Sequence, residues 1–329
     1  MPTEDLERDV RFRDLSSDQR ESLMIQAAKR YYDLDMTIGD LAKDMGLTRW
    51  QARRLLNDAR EAGIVRIEIL PRAARSPEVE SRLQRRFGLK EAVVARPPYD
   101  DPAVALAGVA QAAAQFIAAL GPTPLIGISW GRTMNAVARR LPPFWSEGAE
   151  IVLLNGAMNI RSRSTSSDNT AELFARSANG AATLLPVPAI LGQAETRLAL
   201  ERDPTIASVL ALGRRAPVIC FGMGAMAPDS VLVQSGFITP DEQTALKARG
   251  AVGDIFSRFL NEKGEIVDRE LDSRTIGIEL RDCAGRDISI GVAAGQEKLA
   301  IVRAALRTGC VNVLVIDERT ALALLEAAS

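Results

Sequence analysis

Apolar residues in the first sixty positions recur at helical spacing and stop at glycines. In 18–32, DQRESLMIQAAKRYY, Leu23, Ala27 and Tyr31 fall at i, i+4 and i+8 with Met24 and Ala28 beside them, which predicts a helix. Thr37 with Asp40 three residues on reads as a capping box with Asp in place of Glu or Gln, opening a short helix from about Ile38 to Met45. Gly46 supplies the turn, and Thr48 caps a second helix that runs to about Ala62 and ends at Gly63. Leu41, Met45, Leu47, Ala52 and Leu55 are apolar where two crossed helices must pack, and Ala42 is small where they approach closely. This is the pattern of a helix-turn-helix. Val65, Ile67 and Ile69 then alternate as a short strand, a wing or a closing strand.

The other face of the second helix carries Arg49, Trp50, Arg53, Arg54 and Asn57, with Thr48 at its start. In a helix-turn-helix this helix enters the DNA major groove with its N-terminal residues nearest the bases. Arginine reads guanine edges and clamps phosphate, so these residues are the candidate DNA-binding set.

The pattern changes at Pro71. A linker precedes a basic amphipathic helix (Pro77 to Phe87) and an apolar strand (Glu91 to Ala95), followed by Pro97, Pro98 and Pro102. The boundary falls near residue 75, giving a DNA-binding domain over 1–75 and an effector and oligomerisation domain over 76–329. Beyond 103, short apolar runs (TPLIGIS, EIVLLNG, TLLPVPA, APVICFG, RTIGIEL, ISIGVAAG, VNVLVID) alternate with helical ones (MNAVARRL, NTAELFARSANG, DEQTALKARG, EKLAIVRAALRTG). Strands separated by helices predict an α/β domain with a mostly parallel, Rossmann-like sheet covered on both faces. Such sheets bind ligands beyond the carboxyl ends of their strands.

That rule selects loops. GISWGRT follows the first strand, and the hydroxyls of Ser129 and Thr133 with nearby backbone N–H groups suit either a phosphate or a row of sugar hydroxyls, with Arg132 adding charge. NGAMN brings Asn155 and Gly156, and FGMGAM brings Phe221 and Gly222. GAVGDIF places Asp254 in a loop after a helix, and AAGQEKLA places Lys298 at the start of the penultimate helix.

Composition narrows the chemistry. Gly127, Ser129 and Gly131 spell G-x-S-x-G, the pattern of a nucleophile elbow, but the 329 residues include no histidine to serve as its base. The same absence weakens any zinc site, and FGMGAM lacks the third glycine of a dinucleotide fingerprint. No catalytic residue, metal or cofactor is assigned. Three scattered cysteines, Cys220, Cys283 and Cys310, suggest buried thiols in a reducing compartment. The start lacks a signal-peptide core and no apolar run approaches the length of a membrane span, so a soluble cytoplasmic protein without a membrane partner is expected. A formal net charge of -1 does not advertise nucleic-acid binding, although a small reading head on an acidic body escapes such a sum.

Taken in order, the helix-turn-helix, GISWGRT, FGMG, SGFIT, GAVGDIFSRFLNEKGE and AAGQEKLAIVRAALRTGCVNVLVID resemble the SorC family of bacterial transcriptional regulators (SorC/DeoR type) over nearly the whole chain. The resemblance implies a winged-helix-like head and an effector domain similar in fold to ribose-5-phosphate isomerases, glucosamine-6-phosphate deaminases and coenzyme A transferases. It implies a sugar, sugar phosphate or polyol effector that controls operator DNA binding, and a homo-oligomer, dimer or tetramer. By motif it assigns ligand contacts to Gly127, Ser129, Trp130, Gly131, Thr133, Gly222, Asp254 and Lys298. The rival reading is an isomerase- or deaminase-like enzyme that carries a DNA-binding domain.

Overall fold

The computed structural model describes residues 16–65, 74–156 and 169–326. The chain divides into two compact units, Met1–Ile69 and Leu70–Ser329. The strand expected from the alternation at Val65, Ile67 and Ile69 falls outside the described residues from 66 onward, as do positions 157–159 of NGAMN.

Among its described residues the first unit has three α-helices: α1 (Ser17–Ala28), α2 (Ile38–Asp44) and α3 (Arg49–Glu61). The single helix expected over 18–32 leaves α geometry after Ala28 and finishes as a π turn, Lys29–Asp33. Both N-caps form, but the expected box at Thr37 is only half made, because Asp40 Oδ2 accepts the Thr37 hydroxyl at 2.6 Å rather than its backbone N–H. Thr37 Oγ1 accepts the Asp40 N–H at 3.2 Å, and Thr48 Oγ1 accepts the Gln51 N–H at 3.2 Å while Gln51 Oε1 accepts the Thr48 N–H at 2.9 Å. Such caps contribute about 1 kcal/mol each. Gly46 turns the chain at φ +66°, a value that costs a side-chain-bearing residue. Met24, Ala27, Leu41, Ala42, Ala52, Leu55, Leu56 and Ala59 form the core, with Met45 and Leu47 half-buried at its rim.

The second unit is built on an eight-stranded sheet. Its strands are β1 (Ala74–Arg75), β2 (Glu91–Arg96), β3 (Leu125–Ile128), β4 (Glu150–Leu153), β5 (Ala181–Thr183), β6 (Val218–Gly222), β10 (Ile288–Ala293) and β11 (Val313–Asp317), in the order β1-β2-β11-β10-β6-β3-β4-β5. All pairings are parallel except β1 with β2. Alternate residues serve opposite faces. Val93, Val313 and Val315 pack with α5 (Pro102–Ala119), α6 (Arg132–Ala138) and α7 (Thr170–Ser177). Ala92, Val94, Leu314 and Ile316 pack with α4 (Pro77–Phe87), α9 (Pro204–Arg215), α13 (Leu299–Arg307) and α14 (Glu318–Glu326). Two-sided burial is why these strands read as continuous apolar runs.

Three expectations need correction. RTIGIEL forms no strand: Thr275 and Gly277 make only isolated bridges, to Ile190 and Asn155. TLLPVPA overlaps β5 only at Thr183. An apolar run of membrane-spanning length does exist: α5 has 18 residues with a mean hydropathy of 1.5. Its small side chains, Ala112, Ala113 and Ala114 among them, are buried where the helix lies across β2, β10 and β11.

Two features position the site. From β3 the chain moves through α6 to β4 and β5 on one side, whereas from β6 it moves to β10 and β11 on the other. β3 and β6 are neighbours, so their carboxyl ends flank a topological switch point, where the crevice of such a sheet opens. A second, three-stranded antiparallel sheet, β7 (Gly224–Ala225), β8 (Gly253–Ile255) and β9 (Arg258–Leu260), begins two residues beyond β6. At the far edge of the main sheet, buried Glu80 of α4 accepts Arg75 Nε at 2.8 Å and the backbone N–H of Val94 at 2.9 Å.

Candidate functional site

A cavity of about 480 Å³ occupies the switch point. Ser129, Trp130, Gly131, Arg132 and Thr133 line it from the β3 side, Gly222 to Ala225 from the β6 side, Asn155 from the end of β4, and Asp254 and Lys298 from the small sheet and the β10–α13 connection. Residues 275–278 fix Asn155. The Ile278 N–H donates to Leu154 O at 2.7 Å, and Gly277 lies so close that a β-carbon there would stand 2.7 Å from Leu154 O. Asn155 Oδ1 is buried and has no hydrogen-bond partner among the described residues. A buried acceptor left unmade costs about 1–3 kcal/mol, which a donor on a bound molecule recovers.

Charge is concentrated at the far wall. Burial pushes the Asp254 carboxyl up to about 6, opposed by the Lys298 ammonium and by the Ser257 N–H, which donates to Oδ2 at 3.1 Å. Burial lowers the Lys298 ammonium, opposed by Asp254 and Glu297, and Lys298 Nζ donates to Met223 O. At the mouth, Arg132 Nη1 lies 2.9 Å from Asp229 Oδ2, and that pairing holds the Asp229 carboxyl below its usual range. Ser129 Oγ accepts the Gly222 N–H at 3.2 Å, joining the two loops that flank the crevice.

Three proposed contacts do not line the cavity. Gly127 is a packing residue, since a β-carbon there would lie 2.6 Å from Leu154 Cδ2. Gly156 stands behind Trp130, whose Nε1 donates to Gly156 O at 2.8 Å. Phe221 is fully buried and packs against Phe256, which lines the cavity, with ring centroids 4.7 Å apart and the planes tilted by 50°. Asp254 also sits in strand β8 rather than in a loop, paired with Gly224. Pro102, Leu106, Asp229, Phe256 and Glu297 line the cavity and were not singled out from the sequence. Extending the strand-end rule past FGMGAM would have reached Asp229. Pro102 and Leu106 open α5, which follows the β2 end.

In the first unit, Arg49, Trp50, Arg53, Arg54 and Asn57 are all exposed on one side of α3. Thr48 is half-buried, with its hydroxyl engaged in the helix cap. The Arg54 guanidinium lies 5.2 Å from the centroid of the Trp50 ring.

Known proteins match this arrangement. The Sugar-bind family model, a sugar-binding domain, matches residues 72–326. The chain is similar to the deoxyribonucleoside regulator of Bacillus subtilis (strain 168), at 32% identity over 307 residues that cover 93% of this chain and 98% of that one. It is similar to the sorbitol operon regulator of Klebsiella pneumoniae, at 30% identity over 308 residues that cover 92% and 98%. The crystal structure of full-length SorC, the sorbitol operon regulator from Klebsiella pneumoniae, aligns with a TM-score of 0.70 at 29% identity over 94% of this chain and 100% of that one. A sugar-binding domain built on a seven-stranded parallel array, in a chain that transcriptional regulators match over more than nine-tenths of its length, makes this protein a member of the SorC family of bacterial transcriptional regulators.

Proposed function

We propose that the cavity at the β3–β6 switch point binds a sugar, sugar phosphate or polyol, and that this ligand controls operator binding by α3. The observation that carries the ligand reading is that Asn155, whose buried Oδ1 has no partner among the described residues, lines the same cavity as Asp254 and Lys298. Carbohydrate hydroxyls both donate and accept, so they suit a wall that alternates acceptors with donors. Similarity to regulators of sugar and polyol use, among them the erythritol catabolism regulatory protein EryD of Brucella abortus (strain 2308), supports the same ligand class. The DNA-binding part takes the first unit, residues 1 to about 70, short of the boundary near 75 because Ala74 and Arg75 pair with β2 of the second unit, with Arg49, Trp50, Arg53, Arg54 and Asn57 on the reading face and Thr48 acting through the cap. The protein works in the cytoplasm as a homo-oligomer, dimer or tetramer, whose paired heads call for a roughly palindromic operator. The ligand acts by binding one arrangement of the assembly more tightly than another.

A thermal-shift screen of sugars, polyols and their phosphates tests the pocket, since a ligand of the folded state raises the melting temperature by mass action. Arg53→Ala and Arg54→Ala, measured against selected operator duplexes, test the helix. Unchanged affinity and sequence preference in both variants would remove α3 from the interface.

A second reading has one observation in its favour, the raised Asp254 beside the lowered Lys298. Such a pair can exchange protons with a sugar phosphate. Turnover of pentose or hexosamine phosphates that disappears in Asp254→Asn would establish an enzyme.

A further inference from the structure

Trp50 is the second residue of α3 and 58% exposed. It is the large apolar side chain on a surface otherwise made of Arg49, Arg53, Arg54 and Asn57. Among the described residues, the ring contact of its indole is with Arg54, one helical turn on, at 5.2 Å. That stack restrains two long side chains in the free protein, which lowers the ordering cost of binding. Arg49, one residue earlier, lies elsewhere: its guanidinium rests on Gly39 of α2, where a β-carbon would come within 3.2 Å of Nη2. The first helix of such a pair crosses the DNA backbone, so this placement suits a phosphate contact. Trp50 carries no charge, so it gains little from phosphate. The apolar group that base pairs present in the major groove is the thymine C5 methyl.

We propose that Trp50 is a specificity-determining residue that packs its indole on the C5 methyl of an operator thymine, with Arg54 held along the ring beside it. This rests on the reading of α3 as the helix that enters the major groove.

The experiment uses the full-length protein and a duplex selected by it from a random library. Each thymine in the protected region is replaced singly by deoxyuridine, which removes only the methyl. At one position per half-site the wild-type affinity should fall about fourfold, the ratio corresponding to one buried methyl group. Trp50→Ala should bind the parent duplex more weakly, show no further loss at that position, and keep the wild-type salt dependence. Arg49→Ala should instead lower the slope of log affinity against log salt by about one phosphate contact. Sequence-specific protection without a methyl-sensitive position, or with the same sensitivity in Trp50→Ala, overturns the proposal and leaves α3 as the reading helix. Failure to select any sequence overturns the DNA-reading helix itself, and Trp50 with it. Trp50 is exposed, so circular dichroism melting of Trp50→Ala should match wild type.

Discussion

The Asp254 carboxylate lies against Gly224, so close that a β-carbon on Gly224 would stand 1.9 Å from Oδ1. The two residues face each other across the antiparallel pair β7–β8. Glycine at 224 is therefore the condition for a carboxylate at this place in the cavity. Gly224→Ala should push the carboxylate out of line with Lys298 and the Ser257 N–H. Overpacking of this kind costs about 1–3 kcal/mol. Expected are a lowered melting temperature, at least a tenfold loss of effector affinity by calorimetry, and operator binding without effector unchanged. Full effector affinity would take Asp254 out of the binding site.

Acidity gives a second check. The Asp254 carboxyl is held at about 6 by burial, above the usual carboxylate value of about 3.9 in an unfolded chain. Between those values the folded state holds more protons than the unfolded one, so stability from this group falls as pH rises. Its contribution is full below about pH 4 and lost as pH passes 6. Ligand hydroxyls donate to the ionised form, so effector affinity should rise through the same range. Asp254→Asn should flatten both profiles. A carboxyl resonance of Asp254 that titrates near 4 in the free protein would contradict the burial account.

Ser129 separates folding from response. Its Oγ accepts the Gly222 N–H in a buried position, and Ser129→Ala leaves that donor without its partner, at a cost of about 1–3 kcal/mol. The variant should melt lower, bind operator normally and respond less to effector. Loss of operator binding in folded protein would mark the loop as structural.

Arg258 reaches the site indirectly. It is buried on β9, pairs with Asp272 and donates to Ile278 O at 3.3 Å and Thr275 O at 3.4 Å. It thereby holds the segment whose Gly277 sits against Asn155. Arg258→Met takes a buried guanidinium away from a half-buried Asp272 and from two backbone acceptors, and hydrogen bonds to a charged group are worth about 1.5–3 kcal/mol. Urea unfolding should register that loss, and effector affinity should fall in the protein that remains folded. An unchanged urea midpoint would show that Asp272 finds another partner.

Local chemistry made much of this legible in the sequence. Thr37, Gly46 and Thr48 act on their own neighbours, so the helix pair could be read before any tertiary contact was known. The parallel sheet was legible because strands buried on both faces become apolar runs. RTIGIEL misled for the same reason: Ile276 and Ile278 are buried, but by packing and single bridges rather than by a ladder. The small sheet is not legible in the sequence because its strands are two or three residues long and β7 reaches β8 across about thirty residues of chain. Gly127 and Phe221 lie within β3 and β6 at positions turned to the core, and only the pleat of those strands determines that. Asp229 meets Arg132 across 97 positions, a pairing that no local pattern encodes.

The Arg75–Glu80 arrangement at the sheet margin has a consequence for assembly. An open edge strand invites pairing with another chain, and folded proteins blunt such edges with short strands or with charge. Here one margin ends in the two-residue β1, with the adjacent Val94 N–H sealed by the Glu80 carboxylate, and the other ends in the three-residue β5. Among the described residues, neither margin offers a ladder long enough to be continued by a second copy. A second copy could not lengthen either described margin by more than a two- or three-residue pairing, which leaves the sheet a self-contained frame.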